Sequence, residues 1–164
     1  MKVTKEQAAQ NRQRILDVAA QLFREHGFEG IGVADLMKEA GLTHGGFYGH
    51  FSSKDDLIAQ ASARELTRSL EHWSNFAGRA SDDPLSAVAG TYLTRSHRDN
   101  PGTGCVLAAL GPDVSRQGPA VRRVVTDYVR SVVDLLVKLV PGKSKAARRQ
   151  KAISTYATLV GAMV

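Results

Sequence analysis

Apolar residues recur at helical spacing along the N-terminal part of the chain. Between residues 15 and 26 they stand at i, i+3, i+4, i+7, i+8 and i+11, which predicts a helix with one apolar stripe that includes His26 and with Gly27 as its C-cap. The same spacing in Val33, Leu36, Met37 and Ala40 predicts a short second helix stopped by Gly41. A third predicted helix follows Thr43, a good N-cap, and runs to about Phe51.

The remaining pattern also predicts helices. Ser53 caps a long one with Asp55 and Asp56 in its first turn, where carboxylates suit the helix dipole, and a break is predicted over residues 78–84. Further helices are predicted over 84–97, 105–114 and 119–140, with a last one from Ser144. Apolar residues cover more than one stripe of the 119–140 helix, so we expect burial against its own domain and against a partner.

No stretch shows the alternation of a strand, and the predicted fold class is all-α, with an N-terminal three-helix domain and a C-terminal helical bundle. The bounds are residues 1–52 for the first domain and 53–164 for the second. The sequence stops at Met163-Val164 inside an apolar helical pattern without a cap. We therefore expect the native protein to continue beyond this point.

Composition narrows the class of protein. An apolar content of 43% suffices for a packed core, and no run of 18 apolar residues predicts a membrane span. The N-terminus is polar without the apolar segment of a secretory signal, and the single Cys105 allows no intrachain disulfide, so we expect a cytoplasmic protein. The net charge of +6 would by itself suggest a nucleic-acid partner. Residues 1–56, however, carry seven Lys and Arg against eight Asp and Glu, so the positive charge lies outside this segment. The basic cluster of residues 143–151 is best interpreted as a solvated helix face.

Residues 32–51, GVADLMKEAGLTHGGFYGHF, have the layout of a helix-turn-helix. Gly41 permits the left-handed conformation of the tight turn, and Leu42, Phe47 and Phe51 can pack back on the preceding helices. Two glycines inside a helix cost about 1 kcal/mol each, and close approach of the backbone to a DNA groove would compensate. A plain helical corner is the alternative. The residues left facing outward are Thr43, His44, Gly45, Gly46, Tyr48 and His50.

Residues 14–57 resemble the N-terminal domain of the TetR/AcrR family of repressors. The resemblance rests on Ala19-x-x-Leu22-Phe23, Gly27-Phe28, Ala40-Gly41-Leu42-Thr43, Tyr48-x-x-Phe51 and Ser53-Lys54-x-x-Leu57, all at fixed spacing. The chain departs from the family at His44, where Lys is common, at Gly46, where Thr or a similar residue is usual, and at Gly32-Val33, which replaces a Thr-containing start of the second helix.

The resemblance implies a homodimer that binds an inverted-repeat operator in double-stranded DNA and represses nearby genes. An unknown small-molecule inducer would enter the C-terminal domain, move the helix that begins near Ser53 and release the DNA. By position, Thr43, His44, Gly45 and Gly46 would face the major groove. Phosphate contacts would come from Tyr48, His50 and Lys54.

Candidate pocket residues in the C-terminal domain are bulky, with ordinary core as the alternative for each: Trp73, Phe76, Tyr92, Cys105, Leu107, Leu110 and Tyr128. Cys105 is either a sensor of electrophiles or oxidants or an inert packing residue. The five histidines lack metal-ligand spacing and no glycine-rich phosphate loop follows a strand, so we expect no enzyme, no catalytic residue, no metal and no cofactor. An architectural DNA binder is the main alternative, although it would not need so large a second domain.

Overall fold

The computed structural model describes residues 4–79 and 83–164, and within these ranges it contains helices and no strand. Two short 3₁₀ helices, His44–Gly49 and Pro101–Thr103, stand between the α-helices. The all-α prediction is confirmed. The α-helices of these two ranges are α1 Lys5–His26, α2 Val33–Glu39, α3 Lys54–Arg79, α4 Pro84–Tyr92, α5 Arg95–Asp99, α6 Val106–Val114, α7 Pro119–Leu139 and α8 Lys145–Gly161.

Helix α1 carries the core of the N-terminal unit. The side chain of Thr4 caps its start by accepting from the Gln7 amide (3.1 Å), and Gly27 ends it at φ +77°. Ile15, Ala19 and Phe23 of the predicted stripe are buried. The predicted core position of His26 is wrong, because half of its side chain is exposed on the last turn. Its neighbour Arg24 is buried instead.

The segment predicted as a third α-helix from Thr43 to Phe51 is a 3₁₀ helix, His44–Gly49. Three of its six residues are glycines, each about 1 kcal/mol less favourable than alanine in an α-helix, and 3₁₀ geometry is common in such short pieces. Thr43 has the extended backbone of an N-cap, but its side chain makes no capping hydrogen bond. Thr43 is therefore the N-cap residue as predicted, but by its backbone alone.

The C-terminal unit is a bundle in which α7 packs against both α3 and α8. The predicted α7 is confirmed to within one residue, and Ser144 caps α8 as predicted by accepting from the Ala147 amide (3.1 Å). Pro112 lies inside α6, although it was expected at the boundary of that helix. No helix in 4–79 or 83–164 combines the length and hydropathy needed to cross a bilayer.

Two predicted boundaries around α4 differ in the structure. The predicted helix over 84–97 is divided into α4 and α5, because Thr94 adopts an extended backbone and caps α5 by accepting from the His97 amide (3.1 Å). The predicted break at 78–84 begins later than expected, since α3 continues through Gly78 to Arg79. The rest of that break, residues 80–82, lies outside the described residues.

Candidate functional site

The turn between α2 and the 3₁₀ helix 44–49 is a Schellman motif. Gly41 has φ +68°, its amide donates to the Lys38 carbonyl (2.9 Å), and the Leu42 amide donates to the Met37 carbonyl (2.8 Å). These two bonds satisfy carbonyls that the end of a helix leaves free, and the left-handed backbone at Gly41 suits a residue without a Cβ. The turn therefore holds the 3₁₀ helix 44–49 in one direction relative to α2.

Two phenylalanines anchor the 3₁₀ helix 44–49 to the core. Phe47 and Phe51 are buried, with their rings stacked at 5.7 Å between centroids. The opposite side faces solvent: Thr43, His44 and Gly45 are exposed, as is 69% of Tyr48. Gly46 and His50 are partly exposed. All six outward residues named from the sequence thus lie on or beside one short helix, and their contacts with DNA stay a prediction.

The Tyr48 ring is held although it is exposed. It packs edge-on against Phe47 (5.2 Å between centroids) and His44 (6.3 Å). Edge-to-face pairs of this kind favour one ring orientation. The hydroxyl of Tyr48 therefore projects from a supported ring, which is the arrangement needed to position a hydrogen bond to a ligand.

The start of α3 provides the seventh predicted residue. Ser53 accepts from the Asp56 amide (3.0 Å), and Asp56 in turn accepts from the Ser52 amide (3.0 Å), so the two side chains satisfy amides at the beginning of the helix. Hydrogen bonds from the Gln60 side chain and from Ser52 hold the pKa of Asp56 below its usual value. Lys54 lies in this capped turn with its Nζ 3.4 Å from Glu29 Oε2. A DNA phosphate would have to replace that exposed carboxylate.

A cavity of about 400 Å³ lies in the C-terminal unit between α3, α4 and the loop that precedes α6. It is lined by four of the predicted pocket residues, Trp73, Phe76, Tyr92 and Cys105. Three others are placed elsewhere: Leu110 is buried beside Phe23 and Phe28, Leu107 is half-buried on α6, and Tyr128 lies behind the wall with its hydroxyl 2.8 Å from Ser69 Oγ. Whether any of them contacts a ligand stays a prediction.

Three buried tyrosines form or support the aromatic wall of the cavity: Tyr92 lines it, and Tyr128 and Tyr156 lie behind it. Trp73 packs against Tyr92 (5.3 Å between centroids) and Tyr156 (5.7 Å), and neither tyrosine hydroxyl has a hydrogen-bond partner among the described residues. Burial raises the pKa of Tyr92, Tyr128 and Tyr156 above the usual value, because the tyrosinate would lose its hydration. These residues are therefore neutral groups that can act as hydrogen-bond donors.

Sequence reasoning missed the polar part of the cavity wall. The signal was present in α3, where wall residues recur at i, i+3, i+4, i+7, i+8 and i+11: Glu65, Arg68, Ser69, His72, Trp73 and Phe76. Interpreting only bulky residues as pocket lining discarded the charged and hydroxyl members of this stripe. His97 was missed for another reason, because its place in the wall depends on the bend that separates α4 from α5.

Comparison with known proteins gives its sequence matches in the N-terminal part of the chain. Residues 15–61 match the model of bacterial regulatory proteins of the tetR family. The HTH-type transcriptional regulator AcrR of Shigella flexneri is 38% identical over 91 residues, which are 52% of this chain and 40% of AcrR. An HTH-type regulator of Staphylococcus aureus is 38% identical over 94 residues, 57% of this chain and 51% of that protein. The matched segment thus spans about half, or less, of these relatives.

The fold likeness extends over nearly the whole chain. A TetR-family regulator from Agrobacterium tumefaciens superposes with a TM-score of 0.81 over 95% of this chain and 86% of that one, at 22% identity. Reduced NemR of Escherichia coli superposes with a TM-score of 0.79 over 93% of this chain and 84% of NemR, also at 22% identity. The Shigella flexneri and Staphylococcus aureus relatives and the Agrobacterium tumefaciens neighbour are transcriptional regulators. The N-terminal segment of the chain, residues 15–61, is thus similar to that of bacterial regulatory proteins of the tetR family.

Proposed function

We propose that this chain is a ligand-responsive repressor that acts in the cytoplasm as a homodimer on an inverted-repeat operator. The observation that carries the proposal is the course of α3. This helix of 26 residues begins at Lys54, beside the 3₁₀ helix 44–49, and continues unbroken along the cavity from Glu65 to Phe76. At 1.5 Å per residue it is about 39 Å long, so one rigid element reaches from the DNA-binding unit to the ligand cavity.

The DNA-binding part of the proposal assigns roles to the residues on and beside the 3₁₀ helix 44–49. Thr43, His44, Gly45 and Gly46 would face the major groove. Tyr48, His50 and Lys54 would contact phosphates and so set the register of the protein without reading sequence. Residues 1–56 carry a net charge of −1, so affinity would depend on where these few donors lie rather than on bulk charge.

The dimer would form through α7 and α8. Val121, Val125 and Val132 of α7 are buried within the chain, whereas Val124 and Leu135 of the same helix are only half-buried. On α8, Ile153 is 49% exposed. Pairing these helices with their two-fold mates as a four-helix bundle would bury this second apolar surface. Two reading heads related by the two-fold axis require half-sites about one helical turn, roughly 34 Å, or a multiple of it apart.

Selection of bound sequences from random DNA tests the DNA-binding part. We expect enrichment of an inverted repeat bound by two chains. Recovery of no sequence, or of an asymmetric site bound by one chain, would contradict the proposal. The cavity is tested by thermal unfolding with a library of small molecules, followed by fluorescence anisotropy on the selected operator. A compound that raises the melting temperature and releases DNA would support an inducer. If no compound does both, an architectural DNA binder would be favoured.

A further inference from the structure

Arg24 is a buried arginine that joins three separate elements. Only 7% of its side chain is exposed, although it lies on the otherwise amphipathic α1. Its Nε donates to the Gly102 carbonyl (2.8 Å), Nη2 donates to the same oxygen, and Nη1 donates to Glu65 Oε2 (3.0 Å). The guanidinium thereby links α1 to α3 and to the 3₁₀ turn Pro101–Thr103. We name these three residues the Arg24 cluster.

Both partners of Arg24 belong to the wall of the cavity or adjoin it. Glu65 lines the cavity, and Gly102 directly precedes the wall residues Thr103, Gly104 and Cys105. The loop packs closely against its neighbours. A Cβ at Gly102 would collide with the Glu25 side chain of α1, and a Cβ at Gly104 would lie 2.8 Å from the His97 carbonyl oxygen. Displacement of this wall would therefore disturb α1.

The other oxygen of Glu65 extends the cluster toward solvent. Arg68 Nη1 lies 3.0 Å from Glu65 Oε1, and Arg68 also lines the cavity. Removing one partner from a buried ion pair leaves an unmatched charge, so such a cluster strongly favours the arrangement in which every partner is present. An occupant that draws Glu65 or the 102–105 loop away would have to break the cluster or carry the end of α1 with it.

We propose that the Arg24 cluster couples occupancy of the cavity to the orientation of the DNA-binding unit. Arg24 is a positioning residue, because it acts through α1, whose Ile15, Ala19 and Phe23 form the core beneath the helix-turn-helix. The intact cluster holds the unit in the orientation that binds DNA, and an occupied cavity opens it. This inference rests on the proposed function and adds a second connection to the one that α3 provides.

The test uses the single cysteine of the chain, Cys105, to place a defined occupant in the wall. N-ethylmaleimide adds the Cys105 thiol across its double bond, so that an Sγ–C bond forms and the thiol proton moves to the neighbouring carbon. Mass spectrometry follows the labelling, and Cys105→Ser serves as the unreactive control. The variant is Arg24→Gln. The matched control is Arg64→Gln. Arg64 also joins α3 to α1, because its Nη2 lies 2.9 Å from Asp17 Oδ1, but it does not line the cavity.

We expect the adduct to lower the operator affinity of wild type and of Arg64→Gln about tenfold, within the ~5–150-fold span of ordinary allosteric coupling. Arg24→Gln should bind as weakly as alkylated wild type before labelling and should change less than about twofold after it. An equal response in Arg24→Gln and wild type would overturn the inference. So would full labelling of wild type without an effect on DNA binding.

A second measurement needs no DNA and keeps the two proposals apart. Hydrogen exchange at residues 21–27 should accelerate on alkylation in wild type and not in Arg24→Gln. If no DNA sequence is bound, the proposed function fails, but hydrogen exchange still tests whether the cavity is coupled to α1 through the Arg24 cluster. Unchanged exchange in alkylated wild type would reject that coupling. If Arg24→Gln does not fold, as judged by circular dichroism, Glu65→Gln replaces it, because the amide retains an acceptor for Arg24 and loses the charge.

Discussion

Substitution of Gly45 tests whether the backbone of the 3₁₀ helix 44–49 approaches DNA closely at this position. A Cβ built at Gly45 meets no heavy atom within 4 Å, and the only glycines of positive φ in the described ranges are Gly27 and Gly41. The fold therefore accepts Gly45→Ala without strain. Gly49 has the same open surroundings in the same helix, which makes Gly49→Ala a matched control.

The expected effect on stability follows from the unfolded chain. Alanine has fewer accessible backbone conformations than glycine, so each substitution should stabilise the fold by about 0.4–1 kcal/mol. For a domain of 150–250 residues, 1 kcal/mol corresponds to about 2–4 °C in melting temperature. Both variants should therefore melt about 1–4 °C higher than wild type, which thermal unfolding followed by circular dichroism will measure.

The expected effect on DNA binding has the opposite sign at Gly45 alone. If the backbone at Gly45 approaches the groove closely, an added methyl group is an overpacked contact that costs about 1–3 kcal/mol. Since about 1.4 kcal/mol is tenfold in affinity, Gly45→Ala should raise the operator Kd about 5- to 150-fold. Gly49→Ala should leave it nearly unchanged. Fluorescence anisotropy on the selected operator at one fixed salt concentration gives both values.

Two results would refute this reasoning. If Gly45→Ala is more stable and binds operator as tightly as wild type, close approach to the groove does not explain the glycine. If Gly49→Ala loses as much affinity as Gly45→Ala, the loss reflects the mobility or geometry of the whole 3₁₀ helix 44–49 rather than contact at one residue.

Further predictions follow from the same structure. Tyr48→Phe should weaken binding to operator and to scrambled DNA alike, by about 0.5–1.5 kcal/mol. Lys54→Ala should instead lower the magnitude of the slope of log affinity against log salt concentration by about one per half-site. Anisotropy at several salt concentrations measures both, and a result that reverses these roles would contradict the assignment. Ile153→Glu should shift dimer toward monomer in sedimentation velocity at micromolar concentration, and a wild-type protein that is only monomeric would refute the dimer. The raised pKa values of three tyrosines contribute stability below about pH 10 that is lost as pH rises above it. Tyrosinate absorbance and circular dichroism should thus change together on alkaline titration, and ionisation before unfolding would show that these residues are accessible: Tyr92, Tyr128 and Tyr156.

Local sequence predicted the helix-turn-helix better than it predicted the cavity. Gly41 marks the turn because a Schellman motif requires a left-handed residue there, and Phe47 and Phe51 mark the buried side because their spacing matches a short helix. The same local rules failed for His26, since the edge of an apolar stripe and the exposed last turn of a helix have the same pattern. They also predicted an α-helix where three glycines favour a 3₁₀ helix.

The cavity depended on relations between distant segments. Four predicted residues line it, but Tyr128 stands behind its wall and Leu110 packs under the N-terminal unit, because bulk and apolarity do not distinguish a wall from a core. The polar stripe of α3 became a wall because residues of α4 and of 103–106 line the same cavity. No local pattern specifies such a cavity, which arises from the lengths and crossing of the helices.

By itself, the sequence of this protein determined its long helices, its tight turn and most of the buried stripe of α1, since these depend on interactions within a few residues. Only the tertiary structure decided that Arg24 is buried and which residues it contacts. Its partners lie 41 and 78 residues away in the sequence, and its charge would otherwise assign it to the surface. A buried charge is tolerated only where hydrogen-bond acceptors lie beside it. Here the packing of α1 against α3 and the Pro101–Thr103 turn places those acceptors next to Arg24.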